Sequence, residues 1–461
     1  MDDIRADLAV IGCGPAGSRA AMDAAAYGLD VACFEESLPG GTCLNRGCVP
    51  AKAMIKTASE CLAAMRLRRG ATPPPADFAP YWAEARARAA EASARLLRGL
   101  EFSLKKSGVR MFGASARILG PGRLEAEFPG GGKCAVYAKK ILIASGASPR
   151  RIPGVSISDP RVVTGSGALK LESIPRRAIA LGAGAVGLEF AWLWNALGAE
   201  VRVAEAAKSA LPSADSELSR SLARALRREG VEILTGLRAE KCEAGEGGVS
   251  VRCSSEGGEK SFEADAVLVS AGLELRPDSI FAPGFSLETD CGFIKTGPGM
   301  ETSADGIYAA GDVAGPPALA HAAAAEGAIA AAAIAGREPP RPAPCPACVY
   351  CEPQAAWIGM TEDAARAELA PGSWASSKAS YVSNAKACCD SASEGFVKVI
   401  YDSSSGEIAG AHILGADASE LIGIFCVAMQ NRLTVRDISR TVFPHPALSE
   451  LAAAVCSTRQ F

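Results

Sequence analysis

Two dinucleotide-binding units of the doubly wound (Rossmann-like) α/β kind, followed by a C-terminal α+β domain, are what the sequence predicts, and three observations carry the prediction. Gly12-x-Gly14-x-x-Gly17 follows the apolar run LAVIG and opens an Ala-rich helical stretch. Gly182-x-Gly184-x-x-Gly187 follows IALG and opens the helical stretch LEFAWLWNALG. Beyond the Pro-rich linker GREPPRPAP at 336–344, the segments FVKVIYD and AGAHILG alternate like strands between the helical patterns ASELIGIFCVAMQ and TVRDISRTV. A length of 461 residues suits about three domains at ~100–200 residues each.

Each glycine set has the strand, tight turn and helix that a pyrophosphate needs. Glycine lets the backbone come close, and the helix N-terminus supplies N–H groups and a positive dipole. Glu35 ends the next strand, VACFE, and Glu205 ends EVRVAE. Both acids lie 18 residues beyond the last glycine, since 35 − 17 and 205 − 187 give the same offset. At that place a carboxylate accepts hydrogen bonds from a ribose. Glu205 further predicts NAD in the second unit, because a carboxylate bonds a 2′-hydroxyl and repels the 2′-phosphate of NADP. Lys208, three residues on, is read as a solvated charge.

Between the first glycines and the second lie Cys43 and Cys48, in GTCLNRGCVPAK. On one helix a separation of five leaves two side chains only roughly on one face, so a bridge between them needs a local distortion. A strained, accessible pair is reducible and suits catalysis. Two buried thiols packing as small hydrophobes are the alternative that the spacing alone leaves open. Residues 61–106 then read as long Ala/Arg/Leu helices split by TPPPADFAP, and Pro and Gly signals near residue 149 mark the exit from the first unit. The second unit ends at the strand DAVLVSAG, which closes at Gly272. ETSADGIYAAGDV delivers Gly311-Asp312 to a loop before an Ala-rich helix starting near Pro317, where the chain returns to the first domain. The boundaries read in this way are 1–148, 149–272, 273–344 and 345–461.

A net charge of −3 with no long run of like charge argues against a nucleic-acid surface. The opening MDDIRAD is acidic, unlike a secretory signal. The apolar stretch PPALAHAAAAEGAIAAAAIAG is interrupted by His321 and Glu326 and is mostly Ala, so no membrane span is expected. A cytoplasmic, reducing compartment follows, in which most of the sixteen cysteines are thiols. Cys345, Cys348 and Cys351 have metal-like spacing, with Cys388-Cys389 available to complete a set. Strand alternation would send Cys348 to the face opposite the other two, so no metal site is expected.

Taken together, both glycine motifs, the two cysteines, ETSADGIYAAGD, LAHAAAAEG and the GFVKVI…GAHILG…ASELI run resemble the pyridine nucleotide–disulfide oxidoreductases over nearly the whole chain. GTCLNRGCVPAK and HPALSE are most similar to the dihydrolipoamide dehydrogenase branch. The resemblance implies FAD held by Gly12, Gly14, Gly17, Glu35, Lys52, Gly311, Asp312, Ala320 and His321. It implies NAD held by Gly182, Gly184, Gly187, Glu189, Glu205 and Gly272, with Glu189 also pairing with Lys52, since a buried ammonium needs a carboxylate. It implies a homodimer formed through the last domain, serving a lipoyl-bearing carrier protein of a 2-oxo acid dehydrogenase or glycine cleavage complex.

Within that resemblance Cys48 is the thiol beside the flavin. It precedes VPAKAMIKTASE, a helix expected from about Pro50, whose dipole would favour the thiolate. Cys43 exchanges with the substrate. An imidazole titrating near neutrality is a suitable proton shuttle for thiol exchange, which assigns that task to His445, with Glu450 orienting it. The family implies that this histidine reaches the partner subunit's Cys43. His412 is read as structural. The chain departs from its relatives at Phe443, where a histidine is usual, at Pro444 and Pro446 around His445, and at Ala51 in place of a hydroxyl residue. Another disulfide reductase or a mercuric reductase of the same fold is the alternative, disfavoured by Glu205 and by the CLN and HPALSE wording. A non-enzymatic scaffold would need none of Cys43, Cys48, His445 and Glu450.

Overall fold

The computed structural model describes residues 2–67, 78–342 and 344–457 and divides into two compact units. Met1–Ala53, Arg86–Arg150 and Leu273–Pro342 form the first. Its sheet sets Arg110–Phe112, Val31–Phe34, Ile4–Ile11 and Lys133–Ile143 side by side and parallel, and Ile307–Ala309 adds a further parallel strand beside Lys133–Ile143. Ser115–Gly120 and Arg123–Glu127 extend the other half of Lys133–Ile143 as an antiparallel meander. Leu8–Ile11 and Val31–Phe34 are buried throughout, as strands covered on both faces must be.

The alanines of the first unit serve helix packing. The helix Pro15–Ala26 opens with Pro at its start and Gly14 as N-cap, and it lies along Ala320–Ile334. A Cβ on Gly327 would fall 2.3 Å from the Ala16 carbonyl oxygen, so the backbones touch where side chains are smallest. The second helix begins at Ala320, a little beyond the Pro317 that the sequence suggested. Among the described residues no helix is long and apolar enough to cross a membrane.

The second unit comprises Met54–Ala85, Arg151–Gly272 and Ala343–Phe461. Its parallel sheet runs Glu232–Thr235, Glu200–Glu205, Arg177–Leu181, Ala266–Val269, Val162–Thr164. A three-stranded antiparallel sheet, Arg238–Gly245, Gly248–Ser255 and Gly258–Ala264, packs beside it through Val249, Val251 and Ala264. The C-terminal sheet is antiparallel in the order Ala347–Val349, Gln354–Gly359, Ile408–Gly415, Phe396–Asp402, Trp374–Ser380, and carries the helices Ala418–Gln430 and Glu450–Ser457. Helices run over Cys48–Leu67 and Ala79–Lys106, while residues 72–77 of the TPPPADFAP break lie outside the described residues.

Phe396–Asp402 departs from the alternation that FVKVIYD suggests, because its first five residues are all buried. Lys398 is 3% exposed and ion-paired to Asp215 at 2.6 Å, Glu362 at 3.0 Å and Glu217 at 3.3 Å. Burial alone would raise the Asp215 carboxyl, but the Lys398 ammonium and the Glu362 N–H hold it below its ordinary value. The cluster ties the helix Ser216–Arg228, which Asp215 caps, to the C-terminal sheet. His412 is fully buried on Ile408–Gly415 with Nε2 2.9 Å from the Met360 carbonyl, and burial lowers its pKa. It is a structural histidine, as read.

Candidate active site

Both glycine turns are built alike, and each glycine within them has its own reason. Gly12 (φ +91°) and Gly182 (φ +114°) sit in the left-handed region, and a Cβ on either would lie 2.5 Å from a carbonyl oxygen of the neighbouring strand end, Ala144 or Ser270. A Cβ on Gly17 or Gly187 would lie 1.9 Å from the carbonyl oxygen of Gly12 or Gly182. These four are demanded by the backbone. Gly14 and Gly184 are not: a Cβ on Gly14 would meet Gly41 Cα at 3.9 Å, and one on Gly184 would meet nothing within 4 Å. Space is left open at each helix N-terminus where a phosphate would approach.

The two acids repeat the symmetry. Glu35 accepts from the N–H of Cys13 at 2.8 Å and of Ser37 at 2.9 Å, and Glu205 from the N–H of Ala183 at 2.6 Å and of Ala207 at 2.7 Å. One oxygen of each carboxylate steadies its glycine turn and the other the chain just beyond the acid, with lone pairs left for ribose hydroxyls. The residues present fit a dinucleotide in each unit.

The cysteine segment is pinned to the first turn. Gly40 donates its N–H to the Cys13 carbonyl at 2.7 Å, and the Gly41 backbone comes so close to Gly14 that a Cβ would lie 2.8 Å from its Cα. Asn45 holds the loop before it, donating to the carbonyls of Pro39 at 2.9 Å and Gly41 at 3.0 Å. Cys43 and Cys48 do not share a helix. Gly41–Arg46 ends at Gly47, where a Cβ would fall 2.9 Å from the Thr42 carbonyl oxygen, and a new helix, Cys48–Leu67, starts two residues earlier than Pro50. The distortion that the spacing demanded is this break. Both residues are thiols, with Cys48 exposed and Cys43 half-buried. A hydrogen bond to Cys48, then burial, push the Cys43 thiol well up, while the charge of Lys52 pulls it down. The two sulfurs are therefore neighbours, within reach of one ammonium.

Gly311 and Asp312 stand at the end of Ile307–Ala309. Gly311 (φ +83°) packs against the first turn of Pro15–Ala26, 3.1 Å from Ala16 Cβ by its own missing Cβ. Glu326 accepts the Gly311 N–H at 2.7 Å. Burial raises the carboxyls of both Asp312 and Glu326. Glu326 thus braces the Gly311 turn, a contact that the sequence does not predict. Its mark in the sequence is its isolation, as the only acid of AHAAAAEGAIAAAAI. Ala320 is half-buried at the start of that helix and His321 is exposed beside it. In the second unit Glu189 is buried and accepts the Tyr350 N–H at 3.1 Å, and Gly272 adopts φ +95° just past the sheet.

His445 and Glu450 form a pair. Nδ1 lies 3.0 Å from Glu450 Oε1, and Oε2 accepts the Ala447 N–H at 3.0 Å. The Ala447 N–H, then His445, hold the Glu450 carboxyl below its ordinary value. The imidazole is 71% exposed, on the wall of a recess of about 380 Å³ that Phe443, Asn384 and Leu451 also line. Phe443, the departure noted in the sequence, thus shapes the space beside the histidine.

Residues 6–327 match the family model described as pyridine nucleotide-disulphide oxidoreductase, and residues 345–455 match that family's dimerisation domain. The chain belongs to the pyridine nucleotide-disulphide oxidoreductase family. Curated relatives include the dihydrolipoyl dehydrogenase of Chlorobaculum tepidum, 36% identical over 451 residues that cover 96% of this chain and 95% of that protein. Dihydrolipoyl dehydrogenase 3 of Pseudomonas aeruginosa is 36% identical over 457 residues, with 96% of each covered. Among solved structures, LpdA of Mycobacterium tuberculosis superposes with a TM-score of 0.86 at 26% identity, covering 98% of this chain and 99% of that one. The HOCl-induced flavoprotein disulfide reductase RclA of Escherichia coli gives 0.85 at 25%, covering 98% and 99%. The dimerisation-domain match supports a homodimer of this oxidoreductase.

No group of three or more potential metal ligands occurs among the described residues of the oxidoreductase. The alternation argument for Cys345, Cys348 and Cys351 is corrected in its detail. The strand covers only Ala347–Val349, so Cys345 and Cys351 lie beyond its ends. Cys388 and Cys389 are exposed at the end of the short helix Ala385–Cys389.

Proposed function

We propose that this oxidoreductase is a dihydrolipoyl dehydrogenase, oxidising protein-bound dihydrolipoyl groups to the disulfide while NAD+ is reduced to NADH and a proton is released. The observation that carries the reading is a pair of neighbouring thiols on two abutting helices, pinned to the glycine turn of a dinucleotide unit. The family and its curated relatives imply FAD in the first unit and NAD in the second. Bound FAD supplies the two-electron relay between a dithiol and a hydride carrier.

The roles of individual residues follow from their chemistry. Cys43 exchanges with the substrate and Cys48 lies toward the flavin, the two cycling between dithiol and disulfide. Lys52, whose charge reaches Cys43, favours thiolate at the pair. His445 takes the thiol proton, and Glu450 fixes the orientation of its ring. In the homodimer His445 serves the partner subunit's Cys43. Residues 1–148 and 273–344 make the flavin domain, 149–272 the NAD domain and 345–461 the dimerisation domain. Lipoyl carriers of a 2-oxo acid dehydrogenase or glycine cleavage complex are the partners, in a cytoplasm whose reducing poise suits a chain of sixteen cysteines.

Steady-state rates with dihydrolipoamide and NAD, set beside NADPH with oxidised glutathione, test the reading. Turnover with the first pair is expected. Turnover with the second alone makes the protein a different disulfide reductase of the same fold, and turnover with neither leaves no enzyme of either kind.

A further inference from the structure

The His445–Glu450 pair has little packing of its own. The imidazole is mostly exposed, and residues 441–449 carry no regular helix or strand on the way to Glu450–Ser457. Such a pair keeps its geometry only if something outside the turn holds the turn. Among the described residues, Asn384 supplies a hydrogen bond of that kind from another element. Its Nδ2 donates to the Ala447 carbonyl at 3.0 Å, across 63 residues of chain.

Asn384 is itself fixed. It is 6% exposed and caps the helix Ala385–Cys389, with Oδ1 accepting the Ala387 N–H at 2.9 Å. Its two partners settle which way the amide points, since a peptide N–H only donates and a carbonyl only accepts. The residue that it grips, Ala447, is also the one whose N–H, on the other side of its Cα, reaches Glu450 Oε2. A path through one residue results: helix cap, Asn384 amide, Ala447 carbonyl, across the Ala447 Cα to its N–H, Glu450 carboxylate, His445 Nδ1. Asn384, Glu450 and His445 line the same recess.

We infer that Asn384 is a positioning residue for the proton-transfer pair, holding the Ala447 backbone by its carbonyl so that the Ala447 N–H keeps Glu450 aimed at the His445 imidazole. The inference rests on the proposal that His445 moves the thiol proton. Asparagine is the residue that meets both demands. Serine caps a helix equally well but does not reach Ala447, and aspartate caps but turns a carboxylate oxygen toward the Ala447 carbonyl. Because misplacement of about 1 Å is enough to cost up to ~10²-fold in rate, a carboxylate freed by one hydrogen bond is a functional loss even where the fold survives.

The test uses flavin-loaded full-length Asn384→Ser and Asn384→Asp, with His445→Gln alongside. Read in each are kcat and KM for dihydrolipoamide with NAD against pH, together with the thermal midpoint. The helix cap survives in both Asn384 variants, so their midpoints fall by no more than the lost bond to Ala447 accounts for. Their kcat falls by about tenfold or more, KM for NAD is unchanged, and in Asn384→Ser the acid limb of the kcat profile moves to lower pH. An imidazolium less well paired with a carboxylate gives up its proton more readily. Wild-type kcat and limb in both Asn384 variants, beside a slow His445→Gln, overturn the positioning role and leave the proposed function standing. A fall in kcat that merely tracks a lowered midpoint, with the limb unmoved, also overturns it, because that is a structural role. Full activity in His445→Gln removes the mechanism on which the inference depends.

Discussion

Gly184→Ala separates what the fold needs from what the nucleotide needs. Gly184 has φ −75° and ψ −176°, a conformation open to alanine, and its added Cβ would meet no atom within 4 Å. Replacing glycine at a compatible site typically gains ~0.4–1 kcal/mol through the unfolded chain. At an N-cap, alanine is the poorer residue by several tenths of a kcal/mol or more. The two terms oppose each other and leave a net change near zero, so the thermal midpoint of the flavin-loaded enzyme moves by no more than about 2 °C. The methyl group nevertheless enters the space kept clear at a helix N-terminus, and KM for NAD rises at least about tenfold, equivalent to ~1.4 kcal/mol. Gly187→Ala is the control. Its Cβ lies 1.9 Å from the Gly182 oxygen and 2.8 Å from Ser270 Oγ, and overpacking of that kind costs roughly 1–3 kcal/mol or more. Unfolding scans with NAD titrations decide the matter. A Gly184→Ala enzyme that is clearly destabilised, or one that binds NAD as before, refutes the division of labour among the three glycines.

Cys48→Ser abolishes the long-wavelength absorbance that a thiolate beside a flavin gives on two-electron reduction, whereas Cys43→Ser keeps a thiolate there and retains it; survival of the band without Cys48 reverses the assignment. His445→Gln slows dihydrolipoamide turnover by roughly 10²–10⁴-fold, the usual worth of acid–base catalysis, and Glu450→Gln by less, because the amide still offers an oxygen to the imidazole; equal rates in all three enzymes exclude the pair. Lys398→Met leaves the buried Asp215 without the ammonium it bonds, while Glu362 keeps Arg366, and destabilises by roughly 3–5 kcal/mol, read by urea unfolding at pH 7. The acids of that cluster have lowered pKa values in the fold, each with burial opposing and the Lys398 ammonium among the groups that lower it. Their contribution is therefore full above the unfolded carboxyl range near pH ~4 and is lost as pH falls through the lower folded values. Wild-type stability should drop steeply there, and the drop in Lys398→Met should be shallower.

How far the sequence could be read depended on whether a signal was local. The strand–turn–helix units were legible because glycine spacing, apolar runs and acids all lie within some 25 residues of one another, since 35 − 12 and 205 − 182 are each 23. His445 and Glu450 were legible as a pair for the same reason, five residues apart across one turn. The break at Gly47 was half legible. The spacing demanded a distortion, but its place depends on the Thr42 carbonyl standing where a Cβ would go. Asn384 gave no signal beyond that of an ordinary helix cap, because its second bond is made 63 residues away. Lys398 likewise reads as the polar residue of an alternating strand until Asp215, Glu217 and Glu362 arrive from other segments.

The acids Glu35 and Glu205 have a structural task in the fold itself. Both oxygens of each take a backbone N–H, one of them from the residue just after the first glycine of its motif. An acid at that position therefore braces a turn in which glycine has φ near +90° to +114°, whether or not a nucleotide is bound. It follows that the acid by itself cannot diagnose a ligand, since the fold alone would favour it. The middle glycine can, because Gly184 has no neighbour that requires its bareness. The absence of a side chain that the protein itself does not need is the stronger mark of something that comes from outside.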